Sequence, residues 1–125
     1  MPIIYLVPGQ ETGDFEKPMD AERLLRCLGV TGRLVGFRYT IYMVECVCNE
    51  PEQIQLITKR LYPDTARLFK VSAASVERNL RTVVRTCWRQ PDHSFLDQIA
   101  GVTLYRQPTN TEFIDMLASF LRRIG

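Results

Sequence analysis

The segment from about residue 72 to residue 89 limits this chain more than any other. At about 100° per residue, Val76, Leu80, Val83, Val84 and Cys87 fall on one side of a helix. With Arg78 set at zero on the same wheel, Arg81, Arg85 and Arg89 lie within roughly 60° of it, opposite the apolar cluster. A strand cannot produce that separation, because its side chains alternate with a period of two. The segment therefore has to be a long helix packed on a core through one face, with a cationic face left over. Ser72 is a suitable N-cap for it, and Pro91 stops it.

The rest of the chain reads as helices of the same kind, so the expected fold is all-α. Asp20 caps a short helix over residues 21–28 that stops at Gly29. A second helix follows Gly32, with Leu34, Phe37, Ile41, Val44 and Cys48 inward. A third starts near Pro51, turns Ile54, Ile57 and Leu61 inward and ends near Tyr62, because Pro63 disfavours helical conformation in the residue before it. Pro63 then opens a short helix over residues 64–69, and Lys70 and Val71 make a turn into the long helix. Ser94 with Asp97, and Thr109 with Glu112, have capping-box spacing. The first marks a brief helix closed by Gly101. The second starts a final helix with Phe113, Met116, Leu117, Phe120, Leu121 and Ile124 on one stripe and Arg122 and Arg123 at its end. Residues 1–20 are rich in proline and glycine and read as an extended arm, with residues 3–7 as a possible strand. The expectation is a single helical domain over residues 21–125, of six to seven helices, with a wingless helix-turn-helix at about 63–89.

Composition matters here through the distribution of charge. Residues 1–56 carry −3, residues 57–90 carry +6 and residues 91–125 carry −1, within a net charge of +2. A basic middle between acidic flanks is expected where one surface meets a polyanion. The 46% apolar content is that of an ordinary globular chain, and the apolar run at residues 3–7 is far below the roughly 20 residues that span a bilayer. No membrane association is expected. The four cysteines, Cys27, Cys46, Cys48 and Cys87, contain no CxxC pair and read as reduced thiols of a cytoplasmic protein.

A helix-turn-helix reader buries one stripe of its second helix and presents the other to the major groove of duplex DNA. Ala73, Ala74 and Ser75 are small, so the helix start can approach DNA closely. Arg78 can pair bidentately with guanine, and Glu77 can accept from a cytosine amino group. A carboxylate on a basic helix suits base readout, with an intrahelical partner, Arg81 at i+4, as the alternative. Base readout is thus assigned to Ser75, Glu77 and Arg78, and phosphate contact to Lys59, Lys70, Ser72 and Arg85. No nucleophile signature, glycine-rich phosphate loop or metal-ligand spacing appears, so neither enzyme activity nor a cofactor or metal is expected. His93 beside Asp92 reads as a loop residue, Cys46 and Cys48 point about 160° apart on a helix, and Trp88 and Tyr62 read as core.

Residues 56–66, Leu-Ile-Thr-Lys-Arg-Leu-Tyr-Pro-Asp-Thr-Ala, with Val76-Glu77-Arg78, Arg81 and Trp88, closely resemble the C-terminal effector domain family of the sporulation master regulator, stage-zero sporulation protein A. Residues 108–114, Pro-Thr-Asn-Thr-Glu-Phe-Ile, are similar to the start of that family's last helix, so the resemblance runs from about Glu22 to the C-terminus. It implies a six-helix response-regulator effector in bacteria. Such an effector binds a DNA box with a TGTCGAA-like core, often as tandem copies, with Glu77 and Arg78 on bases and Arg81 on the backbone. Where the family has a Ser-Arg pair ahead of the matched Glu-Arg, this chain has Ala74-Ser75, which removes one implied contact. The family's receiver domain does not fit in the twenty-odd residues before the match. Residues 90–102, which in the family face the RNA polymerase sigma factor, match poorly, so activation is less firmly implied than DNA binding. Self-association is expected either as tandem copies on DNA or as a homodimer through the arm. The rival reading is a helical protein-interaction module that has lost DNA reading.

Overall fold

The computed structural model describes residues 18–125, and the arm assigned to residues 1–17 lies outside them. Six α-helices follow in order: α1 Ala21–Cys27, α2 Gly36–Asn49, α3 Tyr62–Phe69, α4 Ala73–Trp88, α5 Ser94–Ala100 and α6 Asn110–Ile124. No strand occurs among the described residues. The described residues are all-α as expected, and α2 is their centre, packing on α4 along one side and α6 along another. Leu80, Val83, Met43, Val44, Phe113 and Leu117 are wholly buried between these three helices. Each such side chain contributes about 1.5–3 kcal/mol by leaving water.

Most helix boundaries follow from their caps. The Asp20 carboxylate accepts from Arg23 N at 2.8 Å at the start of α1, and Gly29 ends that turn with φ +91°. At α6 the Thr109 hydroxyl accepts from Glu112 N at 3.1 Å while Glu112 Oε1 accepts from Thr109 N at 2.8 Å, closing the expected capping box. The side-chain and backbone hydrogen bonds to Glu112, led by the bidentate Arg106 guanidinium, pull its carboxyl down to about 2. A carboxyl depressed in the fold contributes stability that is complete above its unfolded value and lost as pH falls towards the folded one. Glu112→Gln is therefore expected to lower the melting temperature at pH 7 and to make no difference near pH 2, as thermal melts at the two pH values would show. An equal effect at both would mean that shape, not charge, holds the box.

Three expectations are corrected. The second helix begins at Gly36 rather than directly after Gly32, and its buried positions are Gly36, Phe37, Tyr39, Thr40, Met43, Val44 and Val47, a wider arc than the expected stripe. Leu34, Ile41 and Cys48 are only partly buried. Apolar counting passed over Thr40, which is buried because its hydroxyl donates to Gly36 O at 2.7 Å.

Pro63 does not break the chain into two helices. A 3₁₀ stretch, Pro51–Leu56, leads into a π-helical turn, Ile57–Leu61, and then without interruption into α3, with Tyr62 in helical conformation. Proline inside a helix lacks an N–H and crowds the carbonyl four residues back. The wide turn before Pro63, in which Tyr62 N donates to Ile57 O, is the kind of local π-bulge that relieves such crowding. The residues expected to point inward do so: Leu61 and Ile57 are buried and Ile54 is partly so.

Ser94 is the first residue of α5 and not its cap. Asp92 Oδ1 accepts from Ser94 N at 2.9 Å, and Asp97 accepts from Leu104 N at 3.0 Å instead of closing a box. Gly101, at φ +79°, ends α5 as expected.

Candidate nucleic-acid interface

Helices α3 and α4 are joined by Lys70, Val71 and Ser72. Lys70 takes the left-handed conformation, φ 59° and ψ 47°, and is the one non-glycine residue at positive φ among the described residues. Lys70 N donates to Arg67 O and Val71 N to Ala66 O, so the carbonyls at the end of α3 are satisfied as in a Schellman stop. The Ser72 hydroxyl accepts from Ser75 N at 3.0 Å and caps α4.

On α4 the two faces separate as the wheel requires. Val76, Leu80, Val83, Val84 and Cys87 are buried, and Arg78, Arg81, Arg85 and Arg89 are exposed. The buried face has no free reactive group: desolvation pushes the Cys87 thiol up to about 12, so it stays protonated. On the exposed face the side chains of Arg78, Arg85 and Arg89 form no hydrogen bond or ion pair with any described residue, which leaves three guanidinium groups for an external anion.

The residues assigned to base readout do not form one cluster. Glu77 lies about 100° to one side of Arg78 and Ser75 about 60° to the other, so of these three only Arg78 is on the crest, which it shares with Arg85 and Arg89. Glu77 Oε1 accepts from Arg81 at 2.8 Å, the intrahelical alternative, with both side chains about half exposed. The Ser75 hydroxyl and carbonyl both accept from Asn79 Nδ2, at 3.1 and 2.8 Å. Of the residues assigned to phosphate, Lys59 and Lys70 are exposed without a partner among the described residues, Ser72 is exposed but engaged as a cap, Arg81 is held by Glu77, and Arg85 is uncommitted.

Sequence reasoning missed what fixes α4 in place. Asn110, at the start of α6, donates from Nδ2 to the Tyr62 hydroxyl at 3.2 Å and to Glu77 O at 3.1 Å, so one amide ties α3, α4 and α6 together beside the reading turn. On the opposite flank, a Cβ on Gly36 would lie 2.4 Å from Asn79 O, so α2 crosses α4 with its backbone in contact. The first contact spans 33 residues and has no local signal. The only sign of the second is a glycine at a helix start. Above Asn110 opens a cleft of about 400 Å³ between α4 and α6, lined by Thr58, Tyr62, Glu77, Arg81, Thr109 and Thr111.

The residues set aside as chemistry are placed as follows. His93 stacks on Trp88 with ring centroids 4.4 Å apart, and its Nε2–H donates to Trp88 O. Tyr62 is buried and Trp88 is half-buried against the core. None of the four cysteines is in a disulfide, and no group of three or more His, Cys, Asp or Glu side chains among the described residues is placed to hold a metal. No helix of the described chain is long and apolar enough to cross a membrane.

Two packed helices with a capped turn, the second anchored on both flanks and presenting unpaired arginines, are the geometry of a groove reader. Residues 21–121, which take in all of α1 to α5 and most of α6, match the family model for the sporulation initiation factor Spo0A C terminal, and the chain belongs to that family of DNA-binding transcription-regulator domains.

Proposed function

We propose that this chain is a sequence-specific duplex DNA-binding regulator of transcription, of cytoplasmic bacterial setting, that docks α4 in the major groove. The observation that carries the proposal is the exposed face of α4, where Arg78, Arg85 and Arg89 have no partner among the described residues while the opposite face is buried. Residues 21–125 act as one DNA-binding unit with the reading motif at 63–89. Arg78 reads a base edge from the crest, with Glu77 and Ser75 on its shoulders, and Lys59, Lys70, Ser72, Arg81 and Arg85 hold phosphates. Arg81 leaves Glu77 for the backbone on docking and frees the carboxylate to accept from a base. A surface pair of this kind is worth little, so the exchange costs little. Docking makes and breaks no covalent bond and needs no cofactor.

One reading helix covers too few base pairs to be selective in a genome, so two copies dock in tandem on boxes about one helical turn apart. The face at residues 90–102 is a candidate contact for an RNA polymerase sigma factor. A domain that had lost DNA reading and served only protein partners is the rival reading, and salt separates the two. Lys59, Lys70, Arg81 and Arg85 on four phosphates give a log–log slope of affinity against salt of about −3.6, and hence roughly a 10²-fold weakening between 50 and 200 mM. A fluorescence titration of a duplex carrying a TGTCGAA-like box across that range measures it. A flat response would leave the protein-interaction reading.

A further inference from the structure

Residues 23–44 hold four arginines, Arg23, Arg26, Arg33 and Arg38, and no acidic residue. The −3 summed over residues 1–56 hides this stretch, because its acids all lie outside it. Within it, the connection from α1 to α2 is held against α4 at both ends. A Cβ on Gly29 would lie 2.5 Å from Gln90 Cδ, and one on Gly36 would lie 2.4 Å from Asn79 O. The Gln90 amide is itself laid back on α4, donating to Thr86 O at 3.1 Å. From residue 79 to the end of α4 at residue 88 the helix rises about 14 Å, and Gln90 lies just beyond it. The seven steps from Gly29 to Gly36 span at most about 25 Å, enough to cover that rise. The connection therefore runs along α4, antiparallel to it.

Its position around α4 follows from the same contacts. Asn79 and Thr86, on whose carbonyl the Gln90 amide lies, stand at roughly 80–100° from Arg78 on the helical wheel, between the buried stripe and the arginine crest. Residues 31–35 thus form a shoulder immediately beside the reading face. Thr31, Gly32, Arg33 and Val35 are exposed there, and the Arg33 guanidinium has no partner among the described residues. Arg26, by contrast, is held by Glu22 at 3.3 Å and lies 5.0 Å over the Phe37 ring. A helix 10–12 Å across fills a major groove about 12 Å wide. An element bordering that helix on its exposed side then comes against the sugar-phosphate backbone at the groove edge.

We propose that residues 31–35 are a second contact surface for duplex DNA, on which Arg33 binds a phosphate of the strand bordering that side of the groove. The surface rests on the reading that α4 enters the groove, and it carries affinity without sequence information, since a phosphate is the same at every base pair. Fluorescence anisotropy with two duplexes, one carrying a TGTCGAA-like box and one scrambled, tests it over a series of salt concentrations for the full chain, Arg33→Ala, Arg85→Ala and Arg38→Ala. Arg38 lies two residues from Gly36 and so about 200° around α2, away from α4, and is the control for general charge. Arg33→Ala is expected to weaken binding to both duplexes about three- to tenfold and to reduce the salt slope by about 0.9, while Arg38→Ala changes neither. Normal binding by Arg33→Ala with weakened binding by Arg85→Ala overturns the shoulder contact and leaves the groove reading in place. Equal losses for Arg33→Ala and Arg38→Ala also overturn it, because the effect is then long-range charge. Loss in none of the variants, with a flat salt response, removes the groove reading and the shoulder with it.

Discussion

Gly36→Ala is expected to destabilise the domain by about 2–3 kcal/mol, at the upper end of the cost of overpacking a core. The added Cβ would meet Asn79 O at 2.4 Å, the carbonyl carbon at 2.8 Å and Val83 Cγ2 at 3.0 Å. Two of those atoms are backbone in the middle of α4, so no rotamer change relieves the contact and the helices have to separate. Gly29→Ala is the informative comparison. Its Cβ would meet only the end of the Gln90 side chain, which can swing away, leaving the cost of φ +91° at about 1–2 kcal/mol. Chemical denaturation of the three proteins should order them native, Gly29→Ala, Gly36→Ala. A Gly36→Ala protein as stable as the native one would mean that α2 and α4 do not touch there. Any loss of DNA binding in Gly36→Ala at temperatures where it remains folded would report displacement of the reading helix.

The second large effect separates reading from holding. Arg78→Ala should cost about 1–3 kcal/mol on the preferred duplex and little on a random one, because the lost partner is a base edge. Arg85→Ala should weaken both similarly, because the lost partner is a phosphate. Both residues carry the same charge on an exposed side chain with no partner among the described residues, so net charge alone cannot distinguish them. Parallel titrations of both variants on both duplexes make the test. Equal losses throughout would assign Arg78 to the backbone and leave the crest of α4 without a reader.

The parts of this fold legible in the sequence were those carried by local physics. The caps at Asp20, Ser72 and Thr109, the stops at Gly29 and Gly101, and the two faces of α4 each follow from residues within a turn or two of one another. The sequence misleads where a local rule meets a longer-range condition. Pro63 was expected to end a helix, but the π-turn before it absorbs the crowding, and no single residue type announces such a turn. Ser94 and Asp97 have capping-box spacing, yet Asp92 caps α5 from outside and Asp97 bonds Leu104 instead. For the candidate site, the wheel locates the arginine crest and sets Glu77 and Ser75 on opposite sides of Arg78. What the structure adds is the pairing of Glu77 with Arg81, the intrahelical alternative that the sequence leaves open. The Asn110 amide that ties α3 and α4 to α6, and the Gly36 contact that braces the other flank, join residues 33 or more apart and leave no periodic trace.

Sequence reading by α4 in duplex DNA is the central claim. Selection from a pool of random duplexes by the full chain, followed by sequencing of the retained fraction, tests it without assuming the operator. The expected result is enrichment of a short box similar to TGTCGAA, altered at the position that the family's Ser-Arg pair would contact, and recurring as two copies about one helical turn apart. Retention of duplexes with no common sequence, or no retention at all, would contradict it.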